Sequence, residues 1–181
     1  MSSRDNIIKS RRLFFALWPD ESACSEIVRQ FKRMPQYNMH GNKTVPSNLH
    51  ITLHFIGNVD ESMLACLQQA ARTVHAPAFE LKLDQPGYFS KPQVFWLGCA
   101  STPAAMQTLH RQLADALLHC GYQAETRPFS PHVTLMRKLR DPGDLIPVEP
   151  IVWPIRSFAL VESIACAEGV IYQPLENYFL E

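Results

Sequence analysis

The tetrapeptide His-x-Thr-Leu is written twice in this chain, as His50-Ile51-Thr52-Leu53 and as His132-Val133-Thr134-Leu135, 82 positions apart in 181 residues. Each copy lies in an apolar run, "NLHITLHFIG" and "SPHVTLMRK", that reads as a β-strand. Side chains alternate along a strand, so His50 shares a face with Thr52, and His132 with Thr134, about 6–7 Å apart. Ile51, Leu53 and Phe55 nominally take the other face, as do Val133, Leu135 and Arg137. Two strands of this kind, half a chain apart, predict two similar lobes that bring two imidazoles and two hydroxyls to a shared groove.

The flanking sequence extends this frame. "RLFFALWP" reads as a buried strand closed by Pro19, and Asp20 as the N-cap of a helix with Ile27 and Phe31 on its apolar face. An irregular loop over 35–47 leads to the first motif strand. Asp60 caps a second helix with Met63, Leu67, Ala70 and Val74 on one stripe. "FELKLDQ" alternates, and "QVFWLGC" reads as a more deeply buried strand. Thr102-Pro103 predicts the start of a third helix carrying Met106, Leu109, Leu113, Leu117 and Cys120, which Gly121 ends. After the second motif comes an irregular stretch, 139–154, and then two strands joined at Glu168-Gly169. The order β-α-β-α-β-β-α-β-β-β predicts an α+β fold with antiparallel pairing. It is expected to form one two-lobed catalytic domain over 1–181, with a flexible arm at 1–10. No Gly-rich dinucleotide or Walker-type loop is present.

Composition narrows the chemistry. Lys plus Arg equals Asp plus Glu at 17 each, so no global positive field gathers nucleic acid, and an anion must be gripped locally. The five cysteines are scattered and odd in number, which argues against a zinc knuckle or a disulfide framework and for a reducing, cytoplasmic setting. The apolar run Leu13–Trp18 is too short to cross a bilayer.

Imidazoles titrate near neutrality, so one of a facing pair can act as acid while the other acts as base. Threonine hydroxyls donate to non-bridging oxygens. The guest that matches this set is a phosphodiester, and the acid, base and charge stabilisers are all side chains, so neither a metal nor another cofactor is expected.

With these residues in place, the chain resembles the two-histidine phosphoesterases, and within them the bacterial and archaeal RNA 2′,3′-cyclic phosphodiesterases, once called 2′-5′ RNA ligases. "RLFFALWP", "NLHITLHFIG", "VFWLG", "PHVTLMRK" and the closing Gly169, Tyr172 and Leu175 carry the resemblance over nearly the whole chain. It implies a bilobal pseudo-twofold α+β fold, with antiparallel sheets lining a central cleft and helices outside. It also implies opening of a terminal 2′,3′-cyclic phosphate to a 2′-phosphate. By motif, His50 would be the proton donor, His132 the proton acceptor, and Thr52 and Thr134 the holders of the phosphoryl oxygens. Phe55 and Arg137 fall five residues after the two histidines, where the family carries an aromatic and an arginine that bind substrate. Met136 departs from a small residue in the family's second motif, with only local packing expected to change.

The expected partners are RNA ends or nucleotides bearing a 2′,3′-cyclic phosphate, met by a monomer without a membrane. Alternatives are another activity of the superfamily (a nucleotide cyclic phosphodiesterase, or reversible 2′-5′ ligation) and an RNA-end-binding module without turnover. A strand separates His54 too far from His50 for one shared ion, and because the family varies at that position His54 is expected on the groove wall. His40, His75, His110 and His119 are expected to be solvated or incidental. Lys43, Arg127, Lys138 and Arg140 are candidates for a positive rim, Tyr88 for base stacking, and Trp96 for the core.

Overall fold

Leu13, Phe15 and Leu17 belong to one buried cluster and Phe14 and Ala16 to another, so the first strand, β1 (Arg11–Leu17), is apolar on both faces. The computed structural model describes residues 10–167 and 169–181. The expected arm at 1–10 lies outside them except for Ser10, as does Glu168 of the expected closing turn. Helix α1 (Glu21–Arg33) follows, and Asp20 accepts from the Ala23 amide as its cap. Strand β2 (Asn42–Lys43) interrupts the predicted loop before the first motif strand, β3 (Ile51–Val59). Asp60 caps helix α2 (Glu61–Ala71) through the Met63 amide. The helix stops before Val74, which is buried all the same.

Strands β4 (Phe79–Leu83), β5 (Gln85–Phe89) and β6 (Val94–Gly98) precede helix α3 (Ala104–Leu117). Strand β7 (His132–Arg137) carries the second motif, and β8 (Ile151–Ile155), β9 (Ser157–Cys166) and β10 (Gly169–Phe179) close the chain. The fold is α+β, and every strand pairing is antiparallel among the described residues.

The main sheet runs β10-β9-β1-β3-β7-β6-β5, with β2 beside β7, while β4 and β8 form a separate pair. Its halves are built alike: β1 and β3 pair across the insertion of α1, and β6 and β7 across that of α3. The halves meet through one residue pair, Ile51 opposite Val133, at the centre of the two motifs. The helices contribute Ile27, Leu67, Leu109 and Leu113 to the same core as Leu13, Phe15, Ile51, Leu53, Val133 and Leu135. His50, Thr52, His132 and Thr134 are only half-buried, on the face turned away from that core.

Three expectations about elements need correction. β5 escaped the sequence reading because Pro86 and Gly87 are strand breakers, yet both lie in its ladder with β6. β8 lies, apart from Ile155, within the stretch read as irregular. Its Pro154 is tolerated because β8 pairs on one side only, with β4. Helix α3 begins beyond Pro103 with no side-chain cap, and the Thr102 hydroxyl instead sits 3.8 Å from the Cys99 sulfur.

The scattered cysteines, read as arguing against a disulfide framework, nevertheless include one bridged pair. Cys66 of α2 and Cys120, just past α3, are 54 residues apart in sequence but have Cα atoms 5.8 Å apart and are bridged. Scatter along the chain says nothing about proximity in the fold. Among the described residues, no helix is long and apolar enough to cross a membrane.

Candidate active site

The two motif histidines are held in the same way. His50 Nδ1 donates to the Asn48 carbonyl at 2.7 Å, and His132 Nδ1 donates to the Ser130 carbonyl at 2.8 Å. A carbonyl can only accept, so in both rings Nδ1 carries a proton and Nε2 is the nitrogen free to exchange one. His50 Nε2 lies 3.1 Å from the Thr52 hydroxyl. Extending the register of the Ile51–Val133 pair sets His50 across from Thr134 and Thr52 across from His132. The two histidines are then diagonal neighbours, about 7–8 Å apart and somewhat less between Cβ atoms by ordinary ladder geometry.

Charge and burial reinforce the pairing. Burial pushes His50 down to about 4, against the Asn48 hydrogen bond, and the charges of Arg137 and His132 lower it further. Burial also lowers His132, opposed by Ser130 and aided by Arg137. Arg137 therefore acts on both rings, and the free site favours two neutral imidazoles beside one guanidinium.

Strict alternation sends Phe55 and Arg137 into the core, and the structure shows why neither goes there. The ladder of β3 slips at Leu53 and that of β7 slips at Leu135, each three residues after its histidine. In both copies two consecutive residues are buried, Leu53-His54 and Leu135-Met136, and the next, Phe55 or Arg137, is exposed. A bulge at the same place in each half reverses the phase and returns the fifth residue to the histidine face. Phe55 pairs with Phe14 across β1 and β3, is 45 % exposed, and carries the Arg12 guanidinium 5.0 Å above its ring.

The same bulge corrects the reading of His54. It is 3 % exposed and faces the core, where its ring nitrogens meet the Tyr122 hydroxyl at 3.2 Å and the His110 carbonyl at 2.8 Å. His110 is not incidental either: its ring stacks on His54 at 4.1 Å and on Phe129 at 4.0 Å. Burial pushes His110 down to about 4 and lowers His54.

Aromatic walls flank each catalytic candidate. Trp18 stacks on His50 at 5.5 Å, with Phe14 and Tyr172 at 5.0 and 5.1 Å. Phe89 and Trp96 stand 5.0 and 5.9 Å from His132. Trp96 was expected in the core. It lies half-exposed across the sheet because Gly87 and Gly98 leave it room: a Cβ at either would come within 3.0 Å of its ring. Sequence reasoning missed Phe14, Trp18 and Phe89 because a buried strand and an aromatic wall use the same residues.

Tyr88 has a structural task, its hydroxyl donating to the Leu139 and Arg140 carbonyls. Of the proposed rim, Arg127 is paired with Glu125, while Lys43 sits over the Tyr37 ring in the strand beside Arg137.

Twinned His-x-Thr strands at the centre of a pseudo-twofold α+β frame are the signature of the two-histidine phosphoesterases. The chain belongs to the 2′-5′ RNA ligase superfamily, whose family model matches residues 19–163. It is 29 % identical over 175 residues to the RNA 2′,3′-cyclic phosphodiesterase of Escherichia coli, covering 94 % of this chain and 97 % of that protein. The crystal structure of E. coli LigT in apo form superposes with a TM-score of 0.84 at 28 % identity, covering 95 % of this chain and 98 % of that one. E. coli LigT complexed with 3′-AMP gives 0.81 at 25 % identity, with the same coverage of both chains.

Proposed function

We propose that this chain is an RNA 2′,3′-cyclic phosphodiesterase that works by metal-independent acid–base catalysis between two histidines. The observation that carries the reading is the matched pair of imidazoles, both with Nδ1 anchored to a carbonyl and both under the charge of Arg137. The name of the E. coli relative, 97 % of whose length aligns, supports the choice of reaction. LigT complexed with 3′-AMP supports a ligand of nucleotide size.

In this mechanism His132 Nε2 takes a proton from water as its oxygen attacks phosphorus, and His50 delivers a proton to the departing 3′-oxygen. One water is consumed, the P–O3′ bond breaks, and a 2′-phosphomonoester and a free 3′-hydroxyl remain. Thr52 and Thr134 donate to the non-bridging oxygens, and Arg137 offsets the charge that builds on them. Phe55 stacks on the base, a sequence-tolerant contact worth about 1–3 kcal/mol. A depressed His50 suits an acid: the bound anion raises its affinity for the proton, and the imidazolium then gives that proton up readily.

The whole chain acts as one two-lobed catalytic unit, as a monomer in the cytoplasm, on RNA ends or nucleotides. The test is product analysis with an oligonucleotide ending in a 2′,3′-cyclic phosphate. Release of a 2′-phosphate is expected. A 3′-phosphate would point to a different nucleotide phosphodiesterase, and binding without turnover to an end-binding module. Either result would overturn the proposal.

A further inference from the structure

At the far end of β3 from His50, beyond Val59, three ligating side chains meet in a second place. Cys66 of α2 and His119 and Cys120 just past α3 bring two sulfurs and an imidazole nitrogen within 4.8 Å of one another. They line a surface groove of about 500 Å³ together with Asp60, Ser62 and Met63. The sulfurs are joined as a disulfide, so His119, which is exposed, has no role in the bridge as it stands.

We propose that this cluster is a redox-gated site for a thiophilic divalent cation, Zn²⁺. Two thiolates and an imidazole are a donor set that selects zinc over the oxygen-loving cations. Tetrahedral zinc, with bonds of about 2.0–2.3 Å, holds its ligand atoms roughly 3.3–3.8 Å apart. The disulfide must therefore open, which side-chain rotation allows from cysteine Cα atoms 5.8 Å apart, and the His119 nitrogen, already within 4.8 Å of both sulfurs, must swing slightly inward. Asp60 lines the groove but is not among the ligand atoms gathered within 4.8 Å, and its Oδ1 accepts from the Met63 amide and the Ser62 hydroxyl. The groove leaves the fourth position to water.

The chemistry balances with a dithiol as reductant. Two electrons and two protons pass from the dithiol to the disulfide, giving two cysteine thiols and an oxidised dithiol. Zn²⁺ then displaces the two thiol protons. A reducing cytoplasm supplies such dithiols. In either state α2 is tied to the end of α3, by a covalent bond or by the ion, so the helical layer keeps its clamp across a change of redox setting.

The test uses the full chain with Cys24, Cys99 and Cys166 changed to Ser, which leaves only the paired cysteines as thiols. Reduced with dithiothreitol, desalted without air and titrated with Co²⁺, it should take up one ion with thiolate-to-cobalt charge transfer and tetrahedral d–d bands, both abolished by Zn²⁺. The oxidised protein should show neither band. His119→Ala keeps both cysteines and should weaken binding by at least about tenfold, as losing a metal ligand does. Circular dichroism confirms that each form is folded. A reduced protein that takes up no cobalt, leaving a structural disulfide only, would overturn the proposal. So would equal affinity in His119→Ala. Neither readout involves turnover in the cleft.

Discussion

His50 and His132 make the same hydrogen bond in opposite halves of the molecule: each Nδ1 donates to the carbonyl two residues earlier, Asn48 or Ser130. The backbone therefore gives both rings the same tautomer, so in the proposed mechanism acid and base are distinguished by surroundings. His50 has Thr52 on its Nε2 and a tight aromatic cage, and burial lowers it to about 4.

The pH dependence follows from these shifts. Burial and Arg137 favour the neutral imidazoles, so both free-enzyme ionisations fall below the ordinary value of 6.5. The profile of kcat/KM should be a bell centred on the acid side of 6.5. A bound diester anion raises both groups, so the profile of kcat should lie at higher pH. Coincident profiles would contradict the account, as would a flat one.

Arg137→Gln removes the charge that lowers both histidines and the proposed partner of the phosphoryl oxygens. A hydrogen bond to a charged group is worth about 1.5–3 kcal/mol, so kcat/KM should fall by about 10–100-fold. The NMR titrations of His50 and His132 should both move to higher pH. A drop in activity with unmoved titrations would assign Arg137 to the substrate alone.

Much of this site was legible as sequence. The doubled motif pointed to both imidazoles and both threonines as candidates, and the family resemblance five residues on pointed to Phe55 and Arg137. What sequence could not show was how those two reach the cleft. The slips at Leu53 and Leu135 are backbone events with no residue signature, and without them alternation places Phe55 in the core and His54 on the wall. The aromatic walls were hidden for another reason: Trp96 in "VFWLG" looks like core until Gly87, 9 residues earlier, is found beneath it. Asp20 and Asp60 were readable as caps because capping is local. The Cys66–Cys120 bridge was not, because it depends on how α2 packs beside α3.

Gly87→Ala tests the wall beside His132. The added Cβ would lie within 2.0 Å of the Trp96 ring, so the indole must shift. Overpacking of this kind costs about 1–3 kcal/mol. The melting temperature and kcat/KM should fall together, and removing the ring in Gly87→Ala/Trp96→Ala should recover stability without recovering full activity. An unchanged single variant would show that Trp96 is not held as described.

Acid stability should report on the stack beneath the motifs. His54 and His110 have lower affinity for protons when folded than when unfolded. Their contribution is whole above about 6.5 and is lost as pH falls below it, for His110 down towards about 4, since the unfolded chain binds protons first. His110→Phe keeps a ring between His54 and Phe129 but has nothing to titrate. Its melting temperature should fall less steeply over that range than the wild type's, and parallel slopes would contradict the assignment.

The most direct measurement follows an oligonucleotide with a 2′,3′-cyclic phosphate end, in EDTA, through the wild type, His50→Ala and His132→Ala. The account predicts that the wild type releases a 2′-phosphate without added metal. Each variant should stay folded and lose about 10²–10⁴-fold in rate, or roughly 3–5 kcal/mol of barrier. Turnover that disappears with chelation, or that survives the loss of either imidazole, would contradict it.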